Sequence, residues 1–467
     1  MPTHKTSSFH KRRGRAFHMP RAVVYVVFGL ALLMQVGCSR VRGLFERNKV
    51  LTPVEVFQKV SPSVFVVEAL TEDGKPLMLR SGVALAQDIL ITNCHVVQNG
   101  SSLRVRRGEQ NWTARLIVAM PEHDLCGIRP NGLTLQPVQI TSASELATGE
   151  HVYAVGSPEG LELTFSEGLI SALRDNGGAH VIQTTAPISP GSSGGGLFDT
   201  HGKLIGITTF YLKEGQSLNF ALPSEWVKAT VEKVPATPGK RSSPQSDAEL
   251  ESEAWLQIGL EALKNEDYEI AFQSLIKCAN LKQSNAARAH FELGKLAEQA
   301  SLNPSKAYDA WFRKYSWSPD EAMVQALQEF ENAIELKPDY AVAWVELSRG
   351  HDLRKEYAQA ISAAREATRL APNEWEGWFR LGCGLFQTGT YDEAIEALQD
   401  ADRIAPQAEH SKVLLVLGWT YAQKGDREHV LKVYQELQAV NSATAKYFFQ
   451  EYILPQQHTV QPGNSSK

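Results

Sequence analysis

Three short segments carry side chains that together could hydrolyse a peptide bond. ITNCHVV (91–97) places His95 at the end of an apolar run, HDL (123–125) contains Asp124, and PGSSGGGL (190–197) presents Ser193 among glycines. Acyl transfer needs a nucleophile, a base that takes its proton, and a group that orients the base. We therefore expect Ser193 to attack, His95 to transfer the proton, and Asp124 to orient the imidazole.

The glycines around Ser193 suit a second requirement of this chemistry. They allow backbone conformations that side chains forbid, so the N–H groups of Gly191 and Ser193 could converge on a developing oxyanion. The same residues also match the G-x-S-x-G elbow of α/β-hydrolases. That fold needs its acid and histidine after the serine, whereas a short β segment and helical repeats follow here.

The chain of 467 residues is too long for one compact core, and its composition and residue patterning change along its length. Residues 51–231 contain short β-branched runs such as VFVVEAL (64–70) and LIGITTF (204–210), separated by turn residues, and this pattern predicts a many-stranded β-domain. Residues 232–250 are rich in Pro, Ser and charge and read as a linker.

A repeated helical pattern occupies residues 251–441. Trp344 and Trp378 lie 34 residues apart, and Pro338, Pro372 and Pro406 keep the same period. A 34-residue helix–turn–helix unit is typical of tetratricopeptide repeats, which must stack to bury their apolar faces. We predict about five repeats, with an insertion near 301–319, followed by a C-terminal helix and disordered tail over 442–467.

The triad segments resemble trypsin-like serine proteases of the HtrA/Deg branch, which read TNxHV, DLA and GNSGGPL where this chain has TNCHV, DLC and GSSGGGL. GSPEGLELTFSEGLISAL (156–173), IQTTAPISPGSSGG (182–195) and LNFALPSEWV (218–227) add to the resemblance, which covers about 53–231. It implies two packed six-stranded β-barrels of the chymotrypsin type, with the triad between them. The predicted fold is thus an all-β double barrel followed by an all-α solenoid.

Residue roles follow from the resemblance by position. Gly191 and Ser193 would line the oxyanion hole, Thr208, Thr209 and Phe210 would pair with an extended substrate backbone, and Ile188 would lie near the S1 pocket. No acid stands at that pocket, which favours a small or medium apolar P1 side chain. Asp175 or Glu167 could in principle replace Asp124, but this fold takes both its His and its Asp from the first barrel.

The chain also departs from this branch. Ser192 and Gly196 replace the usual Asn and Pro, and the PDZ modules of many HtrA/Deg proteases are missing. Five cysteines show no CxxC pair, so neither a zinc site nor a disulfide scaffold is predicted. Cys94 and Cys126 stand where alanines are common and would be packing residues; the fold would also bring them near enough for a bridge, and their redox state stays open.

The N-terminus has the pattern of an export signal. Residues 1–21 are basic without an acid, and AVVYVVFGLALLMQVG (22–37) is too short to span a bilayer comfortably. VGCS (36–39) resembles a bacterial lipobox, apart from Gln35, and would place a lipid on Cys38. Simple cleavage and an uncleaved anchor are the alternatives. We expect a signal over 1–38, a tether over 39–50, and a periplasmic protein, membrane-attached or secreted.

The predicted function is a serine endopeptidase acting on exported or misfolded proteins. The repeats would recruit a protein or peptide on their concave face. No metal or organic cofactor is expected, and a net charge of −5 without a basic stripe argues against a nucleic-acid partner. A homo-oligomer is possible, since HtrA/Deg trimers are common, although no residue here indicates one. The alternative is a catalytically silent or latent barrel that acts as a binding scaffold.

Overall fold

The structure is a computed structural model that describes residues 49–157, 163–176, 179–189, 191–209, 219–234, 247–302 and 318–453. The predicted export signal with Cys38, most of the predicted tether, Phe210, residues 235–246 of the predicted linker, most of the predicted insertion and the tail after 453 lie outside these residues.

The first six strands form a closed antiparallel barrel with the strand order β1-β2-β3-β6-β5-β4. The strands are β1 (Val64–Leu70), β2 (Pro76–Ala84), β3 (Leu90–Thr92), β4 (Ser102–Arg107), β5 (Gln110–Met120) and β6 (Leu125–Pro130). Helix α1 (Pro53–Val60) precedes them, and the single-turn helix α2 (Cys94–Val97) follows β3. Every residue of β1 is buried because it lies between neighbouring strands and the core, which explains why the strand is apolar apart from Glu68.

The second barrel repeats this plan with the order β10-β11-β12-β9-β8-β7. Its strands are β7 (His151–Gly156), β8 (Thr164–Asn176), β9 (Ala179–Thr184), β10 (Gly196–Phe198), β11 (Leu204–Thr209) and β12 (Asn219–Pro223), and helix α3 (Ser224–Glu232) ends it. One apolar cluster joins Val83, Ile91 and Ile117 of the first barrel to Val155 and Phe198 of the second. The two barrels therefore pack against each other, as predicted.

The rest of the described chain is helical. Five hairpins, in order, are α4 (Asp247–Lys264) with α5 (Tyr268–Asn280), α6 (Ala286–Leu302) with α7 (Pro319–Leu336), α8 (Ala341–Leu353) with α9 (Tyr357–Leu370), α10 (Trp375–Gln387) with α11 (Tyr391–Ile404), and α12 (His410–Lys424) with α13 (Arg427–Val440). Helix α14 (Ser442–Phe448) and a π-helical turn (Phe449–Ile453) follow. The predicted fold class, a double barrel followed by helical repeats, is confirmed.

Close packing within one hairpin explains the repeat's small residues. A Cβ on Gly382 of α10 would lie 2.5 Å from the Cγ of Leu398 on α11, so a larger residue at 382 would force the helices apart. Ala394 and Leu398 are fully buried. The helical region begins at Asp247, four residues before the first repeat predicted from periodicity. Across the described ranges, no helix is both long and apolar enough to cross a membrane.

Candidate active site

His95 and Asp124 are brought together by the ends of two neighbouring strands. β3 pairs with β6, so that Thr92 lies opposite Cys126, and His95 follows β3 while Asp124 precedes β6. The imidazole Nδ1 lies 2.8 Å from Asp124 Oδ2, and the His95 backbone N–H donates to Oδ1 at 3.0 Å. Both side chains are about one-third exposed (34% and 33%), so the pair is reachable from solvent.

The backbone of Asp124 is held in an unusual conformation. Its φ of 53° lies in the left-handed region, which Asp tolerates better than most residues. The carbonyl of Asp124 accepts hydrogen bonds from the Asn93 side-chain amide at 3.0 Å and from the Cys94 N–H at 3.2 Å. The Thr209 hydroxyl donates to Oδ2 at 3.3 Å. The carboxylate is thus oriented from three directions, and Nδ1 donating to it leaves Nε2 as the imidazole's acceptor.

Ser193 lies in a tight loop between β9 and β10. Gly191 and Gly194 have φ values of 103° and 84°, which only glycine adopts easily. The loop is closed by the Ser192 N–H donating to the Ser189 carbonyl at 3.0 Å and the Gly195 N–H donating to the Ser192 carbonyl at 2.9 Å. Within the described chain, the backbone N–H groups of Gly191 and Ser193 donate to no other residue.

Ser81 of β2 attaches this loop to the first barrel. Its N–H donates to the Ser193 carbonyl at 2.9 Å, and its hydroxyl donates to the Gly191 carbonyl at 3.0 Å. The Ser81 carbonyl accepts the hydroxyl of Thr92, three residues before His95, at 2.7 Å. A Cβ on Gly194 would stand 2.1 Å from that carbonyl, so only glycine fits. Sequence reasoning missed Ser81 because nothing in β2 marks it; Thr92 was visible only as part of TNCHV.

Ser193 is 1% exposed, and among the described residues no hydrogen bond joins its hydroxyl to the His95 imidazole. Hydrogen bonds of this kind are often long in ligand-free proteases and tighten when substrate binds. The structure therefore brings His95 and Asp124 into contact, and it attaches the Ser193 loop to the strands that lead to His95.

The residues expected to bind substrate lie in different settings. Ile188 is buried in the apolar cluster of the second barrel. Thr208 donates its N–H to the Gly195 carbonyl at 2.8 Å and accepts from the Gly194 N–H at 2.8 Å, so its backbone groups are engaged within the protein. Its hydroxyl donates to the Ser192 carbonyl at 2.6 Å, which supports the loop. Thr209 supports Asp124, and Phe210 lies outside the described residues.

Cys94 and Cys126 form a disulfide rather than a pair of free packing thiols. The bridge joins the first residue of α2 to β6, directly beside the His95–Asp124 contact. The strand pairing of Thr92 with Cys126 brings the two segments this close, which the sequence left open. Cys278 and Cys383 are free. In the described part of the chain, no three metal-binding side chains converge on one point.

Comparisons with known proteins match both the barrel domain and the helical repeats. Residues 80–207 match the family model described as trypsin-like peptidase domain, and 252–285 and 352–409 match tetratricopeptide repeat models. Protease Do-like 1 of Arabidopsis thaliana chloroplasts is 32% identical over 208 residues, covering 39% of this chain and 47% of its own length. Periplasmic serine endoprotease DegP of Escherichia coli (strain K12) is 31% identical over 250 residues, covering 50% of this chain and 51% of its own.

A solved structure of the HtrA-type protease AlgW with a tripeptide is 29% identical, with a TM-score of 0.36, and the match covers 39% of this chain and 63% of that one. The chain spans about half the length of the two curated relatives named above. On the motifs, the two closed barrels and the matches to the family models and the curated relatives, the chain carries a trypsin-like peptidase domain similar to the DegP/HtrA proteases, joined to tetratricopeptide repeats.

Proposed function

We propose that this protein is an exported serine endopeptidase that hydrolyses peptide bonds with Ser193, His95 and Asp124. The observation that carries the proposal is the pair of hydrogen bonds from His95 to the carboxylate of Asp124, at 2.8 and 3.0 Å. It supports an imidazole whose Nε2 can accept a proton from a serine hydroxyl. The attachment of the Ser193 loop to Ser81 and Thr92 supports Ser193 as that serine.

The oxyanion hole is assigned to the N–H groups of Gly191 and Ser193. Both belong to a loop fixed by glycines with positive φ, and both are free of acceptors among the described residues. Two such donors stabilise a tetrahedral intermediate, and the loss of one costs about 2.7–4 kcal/mol in transition-state energy. Ile188, Thr209 and Phe210 remain the proposed substrate contacts, whereas the engaged backbone of Thr208 favours a role in supporting the loop.

The substrates we propose are exported or misfolded proteins, with the repeats recruiting a protein or peptide on their concave face. The relatives named as periplasmic endoproteases and the basic and apolar N-terminal pattern support export to a periplasm. Attachment to the membrane through a lipid on Cys38, and assembly into a homo-oligomer, are further parts of the proposal. Mass spectrometry of the mature N-terminus tests the lipid.

A fluorophosphonate probe that carries a fluorophore tests the enzyme activity, because such probes phosphonylate an activated serine. We expect the full chain to be labelled and to degrade denatured casein, and Ser193→Ala to lose both activities. Ser192→Ala is the matched control, since it removes the adjacent hydroxyl and should keep labelling. A folded wild-type protein that stays unlabelled and leaves casein intact would favour the silent scaffold instead.

A further inference from the structure

The first helical repeat packs directly on the first barrel. One apolar cluster contains Leu103 and Leu116 of the barrel together with Trp255 of α4 and Leu275 of α5. An ion pair between Arg129 of β6 and Asp247 of α4 also joins the two parts. Because a shared core leaves no room for the two parts to slide, the first repeat is fixed relative to the strands that flank His95 and Asp124.

Lys277 of α5 crosses this boundary. Its ammonium donates to the carbonyls of Gln98 at 2.9 Å and Gly100 at 2.8 Å, and it stands 4.0 Å from the centre of the Trp255 ring. Burial lowers the pKa of Lys277 to about 8, although the nearby Glu251 carboxylate opposes that change. A lysine in this setting loses hydration, and the two carbonyls and the indole ring replace it.

The two carbonyls belong to the turn that ends the helix of His95. α2 is a single turn, in which the Gln98 N–H donates to the Cys94 carbonyl and the Gly100 N–H to the Val97 carbonyl. So short a helix cannot hold its own orientation with its few hydrogen bonds. The beginning of α2 is held by the Cys94–Cys126 disulfide and by the hydrogen bond that the Cys94 N–H donates to the Asp124 carbonyl. Its end is held by the hydrogen bonds from Lys277.

A cavity lies between the segment around His95 and the first repeat. Cys94 and Asp124 form one wall and Ile258 and Asp267 of the first repeat the other, around a volume of about 180 Å³. The segment that carries His95 is therefore not packed solidly against the repeat on this side, and it has space to move if one of its attachments is lost.

We propose that Lys277 is a positioning residue for His95, so that the first tetratricopeptide repeat completes the protease site as well as forming part of the recruitment array. The inference rests on the proposed function. Lys277 touches no reacting atom; it fixes the turn after α2, and the turn fixes the direction of the imidazole. Since a displacement of about 1 Å in a catalytic group can lower the rate about 100-fold, a small movement of this turn is sufficient.

The test measures how fast the fluorophosphonate labels the full chain. Lys277→Met keeps the aliphatic stem and removes the donors, and we expect it to label about 10- to 100-fold more slowly than wild type. Lys277→Arg keeps the charge and the donors and should recover most of the labelling rate. If residue 277 only filled space, the rate would not depend on these donors. Lys264→Met is the matched control, because Lys264 of α4 is exposed, pairs with Glu261, and should label like wild type.

Near-ultraviolet circular dichroism and thermal melting accompany each labelling assay, so that rates are compared between folded proteins. If wild type and folded Lys277→Met are labelled at the same rate, the inference is overturned and the protease assignment stays intact. Failure of wild type itself to label would remove the proposed function instead. A folded Lys277→Arg as slow as the Met variant also counts against the inference. If Lys277→Met does not fold, Lys277→Gln takes its place, and unfolding of both would make Lys277 a general stability residue and overturn the positioning role.

Discussion

Asp124 binds the surrounding chain with its backbone as well as its side chain. Its carboxylate accepts from the imidazole, from the His95 N–H and from Thr209, while its carbonyl accepts from Asn93 and Cys94. Its left-handed backbone at φ 53° is stabilised by these contacts. The residue therefore combines two roles, holding the chain conformation and orienting the His95 imidazole.

Replacing the carboxylate without changing its shape separates these roles. Asp124→Asn keeps the backbone contacts, but an amide NH₂ facing Nδ1 forces the imidazole to carry its proton on Nε2, where it can no longer accept from Ser193. We expect kcat for casein-derived peptides to fall about 10⁴-fold with little change in melting temperature. Steady-state hydrolysis and thermal melting measure the two effects.

Two other acids, which the sequence makes weaker candidates for the orienting carboxylate, serve as controls. Glu167 on β8 pairs with His151 at 3.2 Å, and Asp175 lies on the same strand, paired in register with His180 of β9. Glu167→Gln and Asp175→Asn should therefore retain hydrolysis close to wild type. Loss of activity in either of them, with Asp124→Asn still active, would reassign the orienting carboxylate.

A buried charge between helices couples the stability of the repeats to pH. Glu298 of α6 is 1% exposed and contacts Arg349 of α8 through Oε2, and its Oε1 has no hydrogen-bond partner among the described residues. Burial raises the pKa of Glu298 to about 7; Arg349 and Arg380 oppose the rise and Glu346 adds to it. The folded repeats therefore hold this proton at pH values where the unfolded chain has released it.

The sign of the resulting pH dependence follows from linkage. Because the folded pKa lies above the unfolded value, protonated Glu298 contributes stability at low pH, and that contribution is lost as the pH rises through about 7. The free energy of unfolding of wild type minus that of Glu298→Gln should fall between about pH 5 and pH 8, by no more than about 3 kcal/mol. Urea unfolding followed by far-ultraviolet circular dichroism at several pH values measures it.

The control uses a carboxylate of the same array that lies in water. Glu393 on α11 is 56% exposed and pairs with Arg365 across the helix surface. Wild type and Glu393→Gln should differ by a nearly constant free energy over the same pH range. An equally constant difference for Glu298→Gln would mean that Glu298 is ionised in the folded protein throughout.

At the scale of the whole molecule, the sequence predicts those features of the structure that depend on a local pattern of residues. The 64–70 run, the glycine-rich turn at Ser193 and the 34-residue repeat are each visible in one continuous stretch of sequence, and the proposed triad residues lie in short motifs of the same kind. Contacts between distant segments have no such pattern. Lys277 and Gln98 are 179 residues apart, and nothing in either neighbourhood marks the other. The docking of the repeat on the barrel and the attachment of the Ser193 loop to Ser81 were for this reason visible only in three dimensions.

This docking predicts which parts of the molecule unfold together. The first apolar cluster spans β4, β5, α4 and α5, whereas α12 to α14 share a separate cluster near the C-terminus. In a stacked array each repeat is stabilised mainly by its neighbours, so the distal helices can open while the barrel stays folded. We therefore expect amides of the first repeat to exchange with the same opening free energy as those of β5, and amides of α12 to α14 with a lower one.

Two tryptophan variants test this expectation. Amide hydrogen exchange is followed by mass spectrometry at increasing denaturant concentration. Trp255 is 5% exposed in the shared cluster, and Trp255→Ala should lower protection in β5 and α4 by equal amounts, about 3–5 kcal/mol. Trp419→Ala, in the distal cluster, should lower protection in α12 to α14 and leave β5 unchanged. Unchanged protection of β5 in Trp255→Ala would mean that the barrel folds independently of the repeat. If the two parts share one core, removing the Trp255 side chain must destabilise both of them.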